Sequence, residues 1–259
     1  MEKCYYLFHD DFETINRIDC HRVYIGHETC ETRLPSYSVL KPMLKLLNER
    51  GIRLTLLTPF LTDEGLGTTK KLIEIIEKEA QELEVATSDW GLLHWLSINR
   101  VAKPLVGRLL TRQKTDPRLS LFSLGDELKL HISRLSLLKS ETITFFNQHG
   151  INRFEISSAL SEYQLPNDGM NRFSLHVPYI PVTVMRWCIG QNLDFNFPDQ
   201  DCSVSSCQGT FQAWEAKPGN HNYFRIDNAL FYLQDREPDF GKHVSIDRIV
   251  INLKYKFDC

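Results

Sequence analysis

The chain has 259 residues, of which 42% are hydrophobic and 24% are charged, so it can bury a sizeable core. Its formal net charge of −3 at pH 7 excludes the globally basic surface of a dedicated nucleic-acid binder. The first apolar run, 5–8, is too short for a signal peptide, and no run is as long as a membrane span. We therefore expect a cytoplasmic protein with one main domain, whose seven cysteines serve as metal ligands or core residues rather than as a disulfide framework.

Short β-type runs alternate with helical periodicity between residues 4 and 89, which is typical of β/α units around a parallel sheet. The predicted strands are Cys4–His9, Arg22–Gly26, Arg53–Leu57 and Leu83–Ala86. The predicted helices are Phe12–Ile18, Tyr37–Arg50 and Thr68–Gln81. The stretch 65–67 before the third helix contains two glycines but lacks phosphate-loop spacing, so we interpret it as a turn with Thr68 as helix N-cap.

The alternation continues to about residue 157. Further along the chain the pattern predicts a helix from about Trp90, a strand over Lys103–Leu110, a helix over Ser140–His149 and a strand over Asn152–Ser157. Prolines and turn residues then predict irregular loops and small strands, including Tyr223–Leu233 and Val244–Leu253.

These elements predict an α/β fold of the TIM-barrel type, incomplete or irregular, with a loop-rich C-terminal part that contains cysteines. We expect a single domain over residues 1–259. Within it, residues 178–259 are predicted to form a loop-rich region that caps one end and binds metal.

Four cysteines are candidates for one metal centre. Cys30 follows the second predicted strand, whereas Cys188, Cys202 and Cys207 lie in the loop-rich region. Because the loops after parallel barrel strands meet on one face, Cys30 is expected near a functional rim. Four thiolates suit a 4Fe–4S cluster and also tetrahedral zinc, and the alternative is that each cysteine is a small buried apolar residue. The spacings match no standard zinc-finger or ferredoxin pattern, so the residues alone leave these alternatives open.

Several segments occur in an order that resembles the peptidase U-32 family. They are Val23-Tyr24-Ile25-Gly26-x3-Cys30-x2-Arg33, the β-run Leu54–Pro59, Glu84-Val85-x3-Asp89-Trp90-Gly91, Pro181-x4-Arg186-Trp187-Cys188 and Asp201-Cys202-x4-Cys207. Within that family the chain is similar to the iron–sulfur accessory proteins of oxygen-independent ubiquinone biosynthesis. The resemblance implies an incomplete β/α barrel with a 4Fe–4S cluster, whose ligands would be Cys30, Cys188, Cys202 and Cys207.

The resemblance also implies a function in an oxygen-independent modification, such as hydroxylation of a quinone precursor or of RNA. One alternative is a non-catalytic subunit, stabilised by iron or zinc, that docks a larger U-32 partner, so a heteromeric partner of the same family is expected in that case. Another alternative is a metal-free barrel that binds a small ligand. Peptidase activity is not expected, because the sequence has no HExxH motif and no Gly-x-Ser-x-Gly motif.

Three residues are candidates for substrate binding. Arg108 lies in a basic segment, 107–118, that could bind a small anionic substrate or RNA phosphate, or could be a solvated loop. Arg33 could donate hydrogen bonds to cluster sulfur or to a substrate carboxylate, or could form a structural ion pair. Asp89 could orient a substrate or cap the helix that follows it.

Overall fold

A closed barrel of eight parallel strands forms the centre of the protein. The computed structural model describes residues 1–111, 123–133, 135, 139–158, 165–185, 212–214, 223–226, 228–233 and 243–254. The strands in these ranges are β1 (Glu2–Tyr6), β2 (Arg22–Gly26), β3 (Arg53–Thr58), β4 (Glu84–Thr87), β5 (Lys103–Val106), β6 (Arg153–Ser157), β7 (Arg172–Val177), β8 (Tyr179–Val184), β9 (Gln212–Trp214), β10 (Tyr223–Ile226), β11 (Ala229–Leu233) and β12 (Ile246–Asn252). The helices are α1 (Phe12–Arg17), α2 (Tyr37–Arg50), α3 (Asp63–Ile76), α4 (Trp90–Asn99), α5 (Asp126–Ser133) and α6 (Ser140–Gln148), and a 3-10 turn spans Glu31–Arg33.

Around the barrel the strands follow the order β1-β12-β7-β6-β5-β4-β3-β2. The last strand, β12, pairs in parallel with β7 and with β1, so the C-terminal strand closes the ring. The predicted α/β fold of the TIM-barrel type is confirmed, but the barrel is closed where the resemblance implied an incomplete one. The connection between the barrel strands β7 and β12 is irregular, because it contains the strands β8 to β11.

Local sequence patterns predict several elements correctly, and β2 and α2 have the predicted bounds. The helix α2 buries the expected apolar stripe of Leu40, Met43, Leu44 and Leu47. It ends at Gly51, whose φ of 65° is the left-handed conformation that glycine adopts without steric cost.

The prediction for the third helix is wrong in its bounds. Instead of Thr68–Gln81, the helix α3 begins at Asp63 and has Thr62 as its N-cap. The Thr62 hydroxyl accepts a hydrogen bond from the Gly65 backbone N–H at 3.1 Å, as an N-cap side chain should. Gly65 and Gly67 predicted a turn here, but Gly65 lies in the first turn of α3, where Thr62 caps the helix and is itself bound by Glu31.

The prediction for the region after residue 157 is also incomplete. The segment Tyr223–Leu233, expected as one strand, forms the antiparallel hairpin of β10 and β11. The strand predicted over Val244–Leu253 is present as β12, but it belongs to the barrel itself. The barrel strand β7 was not predicted.

A second, antiparallel sheet of the order β8-β11-β10-β9 covers the C-terminal mouth of the barrel. Its strand β8 begins two residues after β7 ends, so the chain turns directly over the mouth. Tyr179, Ala229 and Phe231 of this sheet pack in one apolar cluster with the barrel residues Leu57 and Leu105. We call this sheet the cap sheet. None of the helices in the described ranges is long and apolar enough to cross a bilayer.

Charged side chains fill much of the barrel interior, and they neutralise one another. Arg248 of β12 donates to Glu84 of β4 across 2.6 Å, and Arg22 of β2 lies 3.4 Å from the same carboxylate. Arg248 also donates to the Tyr24 hydroxyl at 2.9 Å, and that hydroxyl donates to Glu155 of β6 at 3.2 Å. Because an unpaired buried charge is costly, this network requires strands from several sides of the barrel to be in place together.

Glu84 is the carboxylate on which the two arginines converge. Burial raises its pKa, but the hydrogen bonds and charge of Arg248, with the charges of Arg22 and Lys103, outweigh burial and lower the pKa from 4.5 to about 2. We therefore expect its contribution to stability to be fully present above pH 4.5 and to be lost as the pH falls from there towards 2. The depression of the pKa corresponds to about 3 kcal/mol.

The measurement is the free energy of unfolding in urea as a function of pH, for the native chain, Glu84→Gln and the exposed control Glu74→Gln. The native chain and the control should lose stability over this acid range. The Glu84→Gln variant should be less stable at pH 7 and should lose less on acidification. An acid profile of Glu84→Gln that parallels that of the native chain would contradict the prediction.

Candidate functional site at the C-terminal mouth of the barrel

The turn that follows β2 closes tightly against the end of β3. Gly26 has a φ of 120°, and a Cβ at this position would lie 2.2 Å from the Leu57 carbonyl oxygen. Only glycine fits here, because both the conformation and the space exclude a side chain. The His27 backbone N–H then donates to the same Leu57 oxygen at 3.0 Å, so the chain leaves the strand along the rim of the barrel.

Cys30 is held half-buried on this turn by the ring of His27. The Nδ1 atom of His27 accepts hydrogen bonds from the backbone N–H groups of Cys30, at 3.1 Å, and of Thr29, at 3.4 Å. Because two donors point at Nδ1, this nitrogen is unprotonated and the ring proton lies on Nε2. The Cys30 Sγ lies 3.1 Å from the Thr32 hydroxyl. The prediction that Cys30 lies at the rim is therefore confirmed.

Residues 27–33, which follow β2, form what we call the Cys30 turn. Asn228, in the turn between β10 and β11, ties the Cys30 turn to the cap sheet. Its Nδ2 donates to the carbonyl oxygens of Thr29 and Met185, each at 2.6 Å. In return, the Met185 backbone N–H donates to the Asn228 carbonyl oxygen at 2.9 Å. One side chain therefore joins the loop after β2, the hairpin turn and the residue that directly follows β8.

Glu28 and Arg108 form a buried ion pair beside this turn. Their side chains are 3% and 2% exposed, and the contact is bidentate, with Nε donating to Oε2 at 2.5 Å and Nη2 donating to Oε1. Burial raises the pKa of Glu28, but the charge and hydrogen bonds of Arg108 outweigh it and lower the pKa below its ordinary value.

Arg108 also attaches the cap sheet to the barrel. Its Nη1 donates to the Tyr179 carbonyl oxygen at 2.6 Å, and its guanidinium carbon lies 5.8 Å from the centre of the Phe231 ring. The guanidinium thus bridges the loops after β2 and β5 to two strands of the cap. Its predicted role in binding an anionic substrate stays a prediction, and residues 112–118 of the basic segment lie outside the described ranges.

Asp89 caps the helix α4, which is one of its two predicted roles. Its Oδ1 accepts from the Leu92 backbone N–H at 2.9 Å, and its Oδ2 accepts from the Leu61 N–H at 3.2 Å. The carboxylate therefore joins the loops after β3 and β4. Arg33 belongs to the same turn as Cys30, since its backbone N–H donates to the Cys30 carbonyl oxygen at 3.4 Å. Substrate binding by Asp89 and Arg33 stays a prediction.

The other three predicted ligands, Cys188, Cys202 and Cys207, lie outside the described residues. Within the described ranges, no group of three or more histidine, cysteine, aspartate or glutamate side chains could hold a metal ion. A metal site that includes Cys30 would therefore need ligands from outside the described residues, as the predicted set has.

Two residues that organise this region, Glu28 and Asn228, were not predicted from the sequence. Glu28 stands two positions before Cys30, and a carboxylate so close to the end of a buried strand indicates a buried cation as its partner. Asn228 is about 200 residues away from Thr29 in the sequence, and its only local signal is that asparagine is typical of hairpin turns.

Comparisons with known proteins support the fold. No protein-family model matches the sequence, and a search of curated proteins found no match. Among solved structures, the U32 peptidase Mk0906 matches with a TM-score of 0.51 over 99% of this chain and 94% of that chain. The chain shares the fold of this U32 peptidase. At 12% sequence identity, the likeness to this U32 structure is one of fold alone.

The buried ion pair gives a stability prediction. Arg108→Leu leaves the Glu28 carboxylate buried without its counter-ion, so we expect a loss of about 3–5 kcal/mol in the free energy of unfolding. Adding Glu28→Gln should recover part of that loss, because the double variant removes the unpaired charge. The control is Arg17→Leu, whose ion pair with Glu13 is exposed and whose effect should be small.

The measurement is urea unfolding at pH 7 for all four proteins. Equal losses for Arg108→Leu and Arg17→Leu would show that the pair does not hold the cap and the barrel together. A double variant that loses more than Arg108→Leu alone would also contradict the prediction.

Proposed function

We propose that the chain is a U32-type iron–sulfur protein of the cytoplasm that takes part in an oxygen-independent modification, such as hydroxylation of a quinone precursor or of RNA. Cys30, Cys188, Cys202 and Cys207 would hold a 4Fe–4S cluster at the barrel mouth. The proposal is supported by the sequence segments that resemble the U-32 family and by the barrel fold that the chain shares with a U32 peptidase.

The observation that carries the proposal is the bridge made by Asn228. Because one nitrogen donates to both Thr29 and Met185, the two carbonyl oxygens lie within about 5 Å of each other. Cys30 follows Thr29 directly, and Cys188 is three residues beyond Met185 in the sequence. Three residues of chain span at most about 10 Å. Met185, the last described residue before Cys188, therefore lies near the Cys30 turn, and a metal centre shared with Cys188 would require this proximity.

The environment of Cys30 fits a thiolate ligand. Its backbone N–H is fixed by His27, and the neighbouring carboxylate of Glu28 is neutralised by Arg108, so it does not oppose a second negative charge. A bound cluster would supply one-electron transfer at this face. Arg33 would attract an anionic group of the substrate. Arg108, whose charge is neutralised by Glu28, and Asp89 would hold the surrounding rim loops in position for it.

A groove beside the Cys30 turn gives a substrate a place to approach. It has a volume of about 580 Å³ and lies between the starts of α2 and α3. Its lining includes Thr32, which contacts the Cys30 sulfur, and the apolar side chains of Leu34, Leu72 and Ile75. A substrate in this groove would not have to displace the cap sheet.

The alternative function is a non-catalytic subunit, stabilised by iron or zinc, that docks a larger partner of the U-32 type. One observation favours it. Tyr179 and Phe231 of the cap sheet pack into the barrel mouth, where enzymes with TIM-barrel folds hold their substrates.

Metal analysis tests the proposal directly. After anaerobic purification, we expect about four irons and four acid-labile sulfides per chain, with visible absorption. Cys30→Ala and Cys202→Ala should lose most of both, whereas the control Cys20→Ala should keep them. Zinc in place of iron would favour the docking subunit, and a folded chain without either metal would contradict both functions.

The Asn228 bridge gives a second test. Asn228→Ala leaves the carbonyls of Thr29 and Met185 without this donor, so we expect a loss of about 1–3 kcal/mol in stability. Because the variant also releases the Cys30 turn from the cap sheet, iron content should fall. The control is Asn99→Ala, whose side chain bonds only to the Trp95 carbonyl within α4 in the described ranges. Iron content equal to the native value in Asn228→Ala would contradict a role of this bridge in metal binding.

A further inference from the structure

Glu31 directly follows Cys30 and ties the Cys30 turn to the start of α3. Its Oε2 accepts hydrogen bonds from the Thr62 backbone N–H at 2.8 Å and from the Thr62 hydroxyl at 3.2 Å. The Thr62 hydroxyl in turn accepts from the Gly65 N–H, so Glu31 extends the N-cap of the helix. A carboxylate is favoured at this end of a helix by the helix dipole.

The Glu31 carboxylate occupies the space that a side chain at position 65 would fill, and Gly65 has no side chain. A Cβ at position 65 would lie 2.1 Å from the Glu31 Oε2, a distance at which one of the two groups must move. A Cβ at Gly67, two residues along the same helix, would meet nothing within 4 Å. Glycine inside a helix costs about 0.5–1 kcal/mol relative to alanine, and at position 65 the contact with Glu31 explains its presence.

The Cys30 turn is therefore anchored on two sides. Asn228 binds the Thr29 carbonyl on the side of the cap sheet, whereas Glu31 binds Thr62 on the side of α3. Between these anchors, the Cys30 N–H donates to His27 and the Cys30 sulfur contacts Thr32. Loss of either anchor would give the turn freedom to move the sulfur.

We propose that Glu31 is a positioning residue that fixes the Cys30 thiol at the barrel mouth by binding the N-terminus of α3. The proposal rests on the proposed function, in which that thiol is a metal ligand. Glu31 acts through the turn and makes no contact with the metal.

The reactivity of Cys30 in the reduced, metal-free chain tests this inference without any metal. Pulsed alkylation with iodoacetamide, followed by trypsin digestion and mass spectrometry, separates the peptide of Cys30 from that of Cys20, because Arg22 lies between them. Alkylation of Cys20 is the internal reference. The variants are Glu31→Ala and Gly65→Ala, with Glu64→Gln and Gly67→Ala as matched controls on the same helix.

We expect alkylation of Cys30 to be several-fold faster in Glu31→Ala and in Gly65→Ala than in the native chain, and unchanged in both controls. Glu31→Gln keeps an acceptor oxygen and should restore part of the protection. Gly65→Ala is the sharper variant, because alanine favours the helix while its methyl group would displace the end of the Glu31 side chain and lie 3.2 Å from the Thr62 hydroxyl that Glu31 binds. Unchanged alkylation in both test variants, with native circular dichroism, would overturn the inference.

Iron loading of the same proteins separates this inference from the proposed function. Lower iron content in Glu31→Ala and Gly65→Ala, with native content in the controls, supports both. Full loading and an unchanged absorption spectrum in the two variants would overturn the positioning role while leaving the metal proposal intact. If the native chain takes up no metal although the alkylation result holds, the proposed function fails and the anchoring of the turn by Glu31 stands.

Discussion

The neutralisation of buried charge inside the barrel is the constraint on which the rest of the structure depends. Arg248 is on β12, whereas its partners Glu84 and Tyr24 are on β4 and β2, in the N-terminal part of the chain. A buried guanidinium without a partner costs several kcal/mol, so Arg248 is satisfied only when β12 closes the ring. Closure of the barrel therefore completes a charge network in which Glu84 also lies beside Arg22.

A second buried ion pair, between Glu28 and Arg108, fixes the structure at the mouth of the barrel. Arg108 binds Glu28 and also donates to the cap sheet through the Tyr179 carbonyl. Because the guanidinium satisfies a carboxylate and a backbone oxygen together, the loop after β2 and the cap sheet take fixed positions relative to each other. Apolar residues of the cap then pack against barrel residues at the mouth, so the proposed site lies at the rim.

The Cys30 turn at that rim is held by local hydrogen bonds and by two groups that are distant in sequence. His27, Thr32 and Arg33 are the local partners, whereas Asn228 comes from the cap sheet and Thr62 from the start of α3. A rim loop with few apolar contacts would otherwise be free to move. These anchors are what allow one thiol to be presented in a defined direction, as both proposed functions require.

The sequence by itself determined the β/α alternation and the bounds of elements such as β2 and α2, because hydrophobic periodicity and a glycine C-cap are local properties. It also placed Cys30 after a strand and Asp89 before a helix, since the residue that follows a strand and the N-cap are local positions as well. Only the tertiary structure decided that β12 closes the barrel, that Arg108 pairs with Glu28 and that α3 begins at Asp63. The physical reason is that buried charges and steric contacts such as that between Gly65 and Glu31 join residues far apart in the chain, and no local pattern specifies which partner a charge will meet.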